Sequence, residues 1–331
     1  MNHTPSGSLI LSKAIPFFLN YKTAEGLSAR TIDSYERTLN KWLAYQGDDE
    51  ISTITKQEIT EYLSWLHTDY VPKRFNGKTH PLSPKTLRNI WVTLSSFYSW
   101  AKLEFEIPNL MESIPAPRFK INPVEPFKQN EVETMLKVCL YSREVHPGNR
   151  KNFIMRLANG TRDQAILLVL LDTGVRASEF CSLRIEDVDL KTGRVLIKHG
   201  IVGGAKGGKG RTVFLGKATR RSIMRYLAKR ENADWPDAYL FVSKADRPFN
   251  PNSLRQLIKS IAERANVRNT YPHRFRHTFA ITYLRAGGDL FTLQALLGHT
   301  TLDMVRRYAR IAEIDIEQAH RKASPVDNWR L

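Results

Sequence analysis

The chain has 331 residues, 42% of them apolar, enough at ~100–200 residues per domain for two cores. Fifty Lys and Arg against 33 Asp and Glu leave a net charge of +17, which points to polyanionic partners, nucleic acid first. Two cysteines, no apolar run near the ~20 residues that cross a bilayer, and no charged-then-apolar opening exclude disulfide-stapled, membrane-spanning and secreted classes; a reduced, cytoplasmic protein is expected.

Residues 1–112 read as helices. One is predicted from about Ser8 to Lys22. A second opens at Ser28 as N-cap and carries Ile32, Tyr35, Leu39 and Trp42 at helical spacing. A third opens on a capping box, Thr55 with Glu58, followed by Ile59, Tyr62, Leu63 and Leu66. A fourth opens Ser83-Pro84, N-cap then N1 proline, and continues with Leu87, Ile90, Trp91, Leu94, Phe97 and Tyr98. The aromatic stripe of this helix reads as core rather than as a platform for stacked bases. Between the third and fourth helices, Val71–Leu82 is a polar loop holding Lys73, Arg74, Lys78 and His80.

Pro115, Pro117, Pro123 and Pro126 then make residues 113–127 an extended linker, since proline fixes φ and removes a donor. The expected domains are therefore 1–112 and 128–331. Charge divides along the same line: 12 basic and 12 acidic side chains precede residue 113, and 38 and 21 follow. An asymmetry of this size points the second domain toward nucleic acid, although a solvated basic surface would carry the same charge.

The second domain reads as mixed. A buried helix is predicted at Arg162–Leu171, then strands at Arg194–Lys198 and Arg211–Leu215 around a glycine-rich turn. Helices resume at Thr219–Lys229, Ser253–Asn266 and Pro272–Ala286, the last stopped by Gly287-Gly288. Shorter helices follow at Asp289–Leu297, closed by Gly298, and at Leu302–Arg310 and Asp315–Arg321.

Four segments of this domain set polar groups beside apolar runs. In Thr173-Gly174-Val175-Arg176-Ala177-Ser178-Glu179, Arg176 and Glu179 stand i, i+3; they form an internal ion pair, a ligand clamp, or both. The segment Gly203–Arg211, with five glycines, Lys206 and Lys209, can cradle a phosphate or be a flexible turn; it is not a P-loop, because GxxxxGK[ST] is absent and a strand follows. In Pro272-His273-Arg274-Phe275-Arg276-His277-Thr278, His273 and His277 have the i, i+4 spacing of two zinc ligands. The intervening Arg-Phe-Arg holds no glutamate base and puts cations beside the would-be metal, so no metal is expected. The fourth segment is Leu297-Gly298-His299-Thr300 followed by Arg307-Tyr308-Ala309; alone, its histidine reads as a cap and its tyrosine as packing.

Together these residues fit one chemistry. Two arginines match the oxygens of a phosphodiester with planar forks. Histidines and a lysine can move protons to and from departing oxygens. A phenol can attack phosphorus and stay attached. Its pKa of about 10 would be lowered by nearby cations, which also stabilise transition-state charge.

The order Arg, Lys, His-x-x-Arg, His, Tyr resembles the tyrosine recombinase (phage integrase) family, of the site-specific Xer/integrase type. The first arginine box is met at Arg176. The lysine hairpin, usually Gly-Lys-Gly-x-Lys-x-Arg, is similar to Ala205–Arg211, with Ala205 in place of the usual glycine, Lys206 as the catalytic lysine, and Lys209 and Arg211 in the following basic positions. The His-x-x-Arg-His box is met by His273, Arg276 and His277, and the Leu-Gly-His box by Leu297, Gly298 and His299. Tyr308 stands nine residues beyond His299, where the family has its nucleophile. Tyr141–Gly160 reads as an insertion before the Arg176 helix.

The resemblance implies an all-α, four-helix, SAM-like core-binding domain and a mainly α catalytic domain with a small antiparallel β-sheet, the DNA breaking-rejoining fold. It implies that Tyr308 attacks the scissile phosphate to give a 3′-phosphotyrosyl link, that Lys206 protonates the 5′-oxygen, and that Arg176 and Arg276 hold the non-bridging oxygens. His273 would act as acid and base, His299 as hydrogen-bond donor, with Glu179 and His277 supporting. No cofactor, metal or ATP is implied. The implied partners are double-stranded DNA with specific sites, three further copies of the chain in a tetramer on two such sites, and DNA-bending accessory proteins. A nucleoid-associated protein of a mobile element or chromosome fits this picture. Lys209, Arg211, Lys85 and Arg88 are candidate DNA contacts, the last two on a first domain whose net charge is zero; solvated turns explain them equally. The tail, 314–331, is where such proteins dock a helix onto a neighbour, and it can as well pack within its own chain.

Three other readings make different demands. A type IB topoisomerase shares the chemistry but only relaxes DNA. A metal-dependent hydrolase built on His273, His277 and His299 would need carboxylates that the sequence does not place beside them. A silent DNA-binding protein would not need the tyrosine.

Overall fold

The computed structural model describes residues 9–73, 77, 79–120, 124–142, 154–198, 210–230, 238–243, 246–298, 308, 320 and 324–326. The chain divides into two compact units, Met1–Asn122 and Pro123–Leu331.

The first unit is four helices: α1 (Leu11–Ala24), α2 (Ala29–Gln46), α3 (Lys56–Thr68) and α4 (Pro84–Phe105). Their starts follow from local chemistry. Ser28 Oγ accepts from the Thr31 N–H at 3.3 Å, and Ser83 Oγ from the Thr86 N–H at 3.2 Å ahead of Pro84. At α3 the Thr55 N–H donates to Glu58 at 2.7 Å while the Glu58 N–H donates to Thr55 Oγ1, a full capping box. The aromatic residues of α4 are core, as their spacing predicts: Phe97 packs edge-on against Phe18 and Trp42, with centroids 5.5 and 5.7 Å away.

No regular structure runs from 114 to 120 or from 124 to 128, in keeping with the prolines there. Both flanks of this segment are tied down. The Trp91 indole donates to the Ile114 carbonyl at 3.1 Å within the first unit. Phe127, expected to belong to the linker, is a buried core residue of the second unit, and its N–H donates to Thr278 at 2.8 Å.

The second unit is built around α6 (Gly160–Thr173), which packs on α5 (Gln129–Leu140), α8 (Lys217–Leu227) and α10 (Pro272–Arg285). An uninterrupted apolar run suits a helix covered on most sides. The strands β1 (Arg194–Ile197) and β2 (Arg211–Phe214) pair antiparallel with Arg194 opposite Phe214 and Ile197 opposite Arg211. Helix α7 (Ala177–Ser182) precedes them, and α9 (Pro251–Ala265) and α11 (Leu290–Leu297) complete the described α-helices. The sequence reading assigns nothing to 129–140, yet α5 buries Met135 and Cys139 there. It starts without a Ser, Thr, Asp or Asn cap; instead the Lys128 N–H donates to the Glu131 carboxylate at 2.8 Å. The ends of the 141–160 stretch meet: Ser142 and Leu157 N–H groups donate to Met155 and Leu140 carbonyls. The predicted helices 302–310 and 315–321 lie outside the described residues, apart from Tyr308 and His320.

At the start of α6, Arg162 and Asp163 are paired while 6% and 7% exposed, and Arg162 also donates to the Val242 carbonyl. Asp163→Ala should therefore leave a buried cation short of its counter-charge and cost about 3–5 kcal/mol. Glu112→Gln, which breaks the solvent-exposed pair with Lys102, should leave the transition unmoved. Urea midpoints of the two variants check the contrast, and equal shifts would refute it.

Candidate active site

Two helices of the second unit end on left-handed glycines, Gly174 after α6 with φ 59° and Gly298 after α11 with φ 62°. A Cβ at Gly174 would stand 2.6 Å from the Phe279 ring, and one at Gly298 3.0 Å from Arg211. Only glycine meets both demands, the backbone angle and the close approach.

The last turn of a helix leaves carbonyls without intrahelical donors and with partial negative charge. At the end of α11, three successive carbonyls take three different arginines. Arg211 Nε donates to Leu296 at 2.7 Å, Arg276 Nη2 to Leu297 at 2.7 Å, and Arg176 Nη2 to Gly298 at 3.0 Å. Arg276 Nη1 also donates to the Gly174 carbonyl at 2.8 Å. The two glycine turns thus hold the arginines as well as ending helices.

Glu179 on α7 joins them. Arg211 engages both of its oxygens, at 2.9 and 2.7 Å, and Arg176 engages them again through Nη1 and its backbone N–H, each at 2.8 Å. Burial works against ionisation of Glu179, but the hydrogen bonds and charge of Arg211, then those of Arg176, prevail and hold its carboxyl at about 2. Burial, then Arg176, lowers the Arg276 pKa to about 10, which still leaves it cationic at neutral pH. One carboxylate does not balance three guanidinium groups, so the cluster suits an anion. Arg276 is 1% exposed, whereas 32% of the Arg176 side chain is accessible.

Helix α10 starts at Pro272 and brings His273, Arg276 and His277 to one face within two turns. The His273 and His277 rings meet edge to face at 4.5 Å, and the Tyr308 ring lies 5.3 Å beyond His277. Tyr308 is 3% exposed, packed by Ile281, Leu284, Leu293 and Leu297, and close enough for its charge to act on Arg276. Burial, then His273 and Arg276, lowers the His277 pKa to about 4. His273 keeps an edge in solvent, yet burial, Arg276 and Arg176 lower its pKa too. Both rings are thus neutral bases at pH 7.

Of the residues singled out in the sequence, Arg176, Glu179, His273, Arg276, His277 and Tyr308 come together here. Lys206, Lys209 and His299 lie outside the described residues. Lys85 and Arg88 sit at the start of α4 in the first unit, Lys85 exposed and Arg88 with its guanidinium 5.0 Å from the Trp91 ring. Arg211, read from sequence as a DNA contact, has each of its three nitrogens on a protein acceptor. The carbonyls of Gly174, Leu296 and Leu297 escaped the sequence reading because a backbone acceptor leaves no mark in the residue code. A cleft of ≈ 610 Å³ bounded by Phe127, Leu168, Leu171, Phe279 and Tyr283 uses the opposite face of α10 and gathers none of the site residues.

The lowered histidine values fix the sign of a pH effect. Between about 4 and the ordinary value of about 6.5, the unfolded chain holds a proton that folded His277 does not. Stability from this residue is therefore complete above that window and is lost as pH falls through it. The urea midpoint should drop across this range less steeply in His277→Phe, and imidazole NMR should place His277 near 4; an ordinary titration would refute the assignment.

Residues 127–314 match the phage integrase family, and residues 17–104 its N-terminal SAM-like domain. The chain is 27% identical over 324 residues to tyrosine recombinase XerC of Bacillus pumilus, covering 95% of this chain and 96% of that one. It is 27% identical over 320 residues to tyrosine recombinase XerA of Pyrococcus furiosus, covering 96% of each. In fold it is similar to the Tn1549 transposon integrase, solved in complex with a circular intermediate DNA, with a TM-score of 0.71 at 18% identity over 94% of this chain and 100% of that one. With its arginine cradle, its histidine-bearing helix and its matching domains, the chain belongs to the phage integrase family and is a tyrosine recombinase of the Xer/integrase type.

Proposed function

We propose that this site-specific DNA recombinase cuts and rejoins its target through Tyr308, and the convergence of Arg176, Arg276, His273 and Tyr308 around the end of α11 is the observation that carries the assignment. The Tyr308 phenol attacks the scissile phosphorus and forms a 3′-phosphotyrosyl bond, while the bond to the 5′-oxygen breaks. Lys206 gives that oxygen its proton. The 5′-hydroxyl of the second strand then reverses the step and releases Tyr308. One phosphodiester replaces another throughout, so neither ATP nor a metal is needed.

The roles follow from the surroundings. Arg276, buried and fixed by two carbonyls, presents a rigid fork to a non-bridging oxygen; Arg176 reaches the other from the side open to solvent. A phenol is almost wholly protonated at pH 7. His273, neutral at that pH, can take its proton and return it. His299 adds a hydrogen bond to the phosphate, and Glu179 keeps Arg176 in place. His277 is neutral and packs between His273 and Tyr308, where it sets the ring positions.

Double-stranded DNA is the substrate, and Lys85 and Arg88 of the first domain and Lys209 of the second serve as contacts to its backbone. Four protomers act on two sites, with DNA-bending proteins as accessories and the tail 314–331 reaching a neighbour. The protein works in the cytoplasm on nucleoid or mobile-element DNA.

The test is covalent trapping. Nicked duplexes tiled across the genomic DNA that flanks the coding sequence are incubated with the protein and a chelator, then run on a denaturing gel. A slow-migrating adduct is expected, absent in Tyr308→Phe and slowed on the order of 10²–10³-fold in Arg176→Ala or Arg276→Ala. Specific binding without an adduct, an adduct that survives Tyr308→Phe, or loss of the adduct in chelator would overturn the mechanism.

A further inference from the structure

Arg211 opens β2, opposite Ile197 on β1. Its side chain is 15% exposed and spans two elements that lie far apart in the chain. It grips both oxygens of Glu179 on α7, and its Nε holds the Leu296 carbonyl at the end of α11. Glu179 uses the same two oxygens on Arg176. The Arg211 guanidinium also lies 3.0–3.2 Å from a Cβ built at Gly298, whose carbonyl is the second acceptor of Arg176. Both groups that fix Arg176, the carboxylate and the Gly298 turn, therefore rest on Arg211. The far end of β2 is anchored as well: the Gly216 N–H donates to Asp172 on α6 at 2.6 Å.

We propose that Arg211 is a positioning residue for strand cleavage: by holding Glu179 and the end of α11 together it sets the Arg176 guanidinium against the phosphate, without contacting DNA itself. This rests on the cleavage chemistry assigned above to Tyr308. A lysine cannot replace it. An ammonium is a compact point charge, whereas the planar fork meets two carboxylate oxygens and a carbonyl at once.

The test compares the parent with Arg211→Met, Arg211→Lys, Glu179→Gln and the double variant Arg211→Met/Glu179→Gln, on the duplex from the flanking panel that gives most adduct. Cleavage at saturating DNA is measured beside DNA affinity, the salt dependence of binding and the melting temperature. Expected is a loss of cleavage of about 100-fold or more in Arg211→Met, with affinity within about threefold of the parent. Arg211→Lys should recover at most about tenfold of that loss. The double variant should be no slower than the slower single variant, because both act through one chain of contacts.

Cleavage within about threefold of the parent in Arg211→Met would overturn the proposal. So would weaker binding with a salt slope smaller by about one and cleavage preserved at saturation, the mark of a direct phosphate contact. Additive losses in the double variant, or failure of all the Arg211 variants to fold, would reduce the residue to a structural one and also overturn it. If the parent gives no Tyr308-dependent adduct on any duplex, the cleavage chemistry itself falls; if the parent cleaves and the Arg211 variants cleave equally, only this proposal does.

Discussion

Three guanidinium groups gathered at one helix end repel one another, and the second unit is organised around making that arrangement stable. Two like charges about 4 Å apart cost of order 4 kcal/mol even at an effective dielectric near 20. The end of α11 offsets this with three carbonyls in a row, each given to a different arginine, in the region where a helix is most negative. Glu179 supplies the one counter-charge, and its four bonds to Arg211 and Arg176 keep it ionised. The positive charge that remains is what a phosphodiester would neutralise.

Much of the surrounding fold serves to hold this end of α11 still. Helix α6 is buried on most sides and ends at Gly174, which gives Arg276 its second carbonyl. Helix α10 works on two faces. His273, Arg276 and His277 point one way, while Arg274 holds the Glu125 and Arg268 carbonyls and lies 4.0 Å from the Phe127 ring. The chain leading into the second unit is therefore pinned to the helix that carries His273, Arg276 and His277. Tyr308 is kept near them by an apolar nest from α10 and α11. Burial does double duty here. It lowers the histidine pKa values, so the rings stay neutral, and it makes each arginine hydrogen bond stronger than it would be in water.

What was legible in the sequence was whatever depends on neighbours within one helical turn. Ser28, Thr55 with Glu58, Ser83-Pro84 and Asp289 announce helix starts because a cap bonds two or three residues ahead. Gly174 and Gly298 announce ends for the same local reason, and the Arg, His and Tyr boxes are local strings of residue types. Helix α5 went unread because its cap comes from a backbone N–H on a glutamate behind a lysine, with four prolines just upstream to suggest extended chain. The tertiary structure alone decided who meets whom: Arg176 with a carbonyl 122 residues away, Arg276 with one 102 away, and Phe127 with Thr278 across 151. It also turned Arg211 from a basic residue in a hairpin into the clasp between Glu179 and Leu296. The difference is physical. Helix and turn signals are set by short-range sterics and hydrogen bonds that a few residues contain, whereas a shared acceptor between distant segments exists only once the core has packed and brought their backbones together.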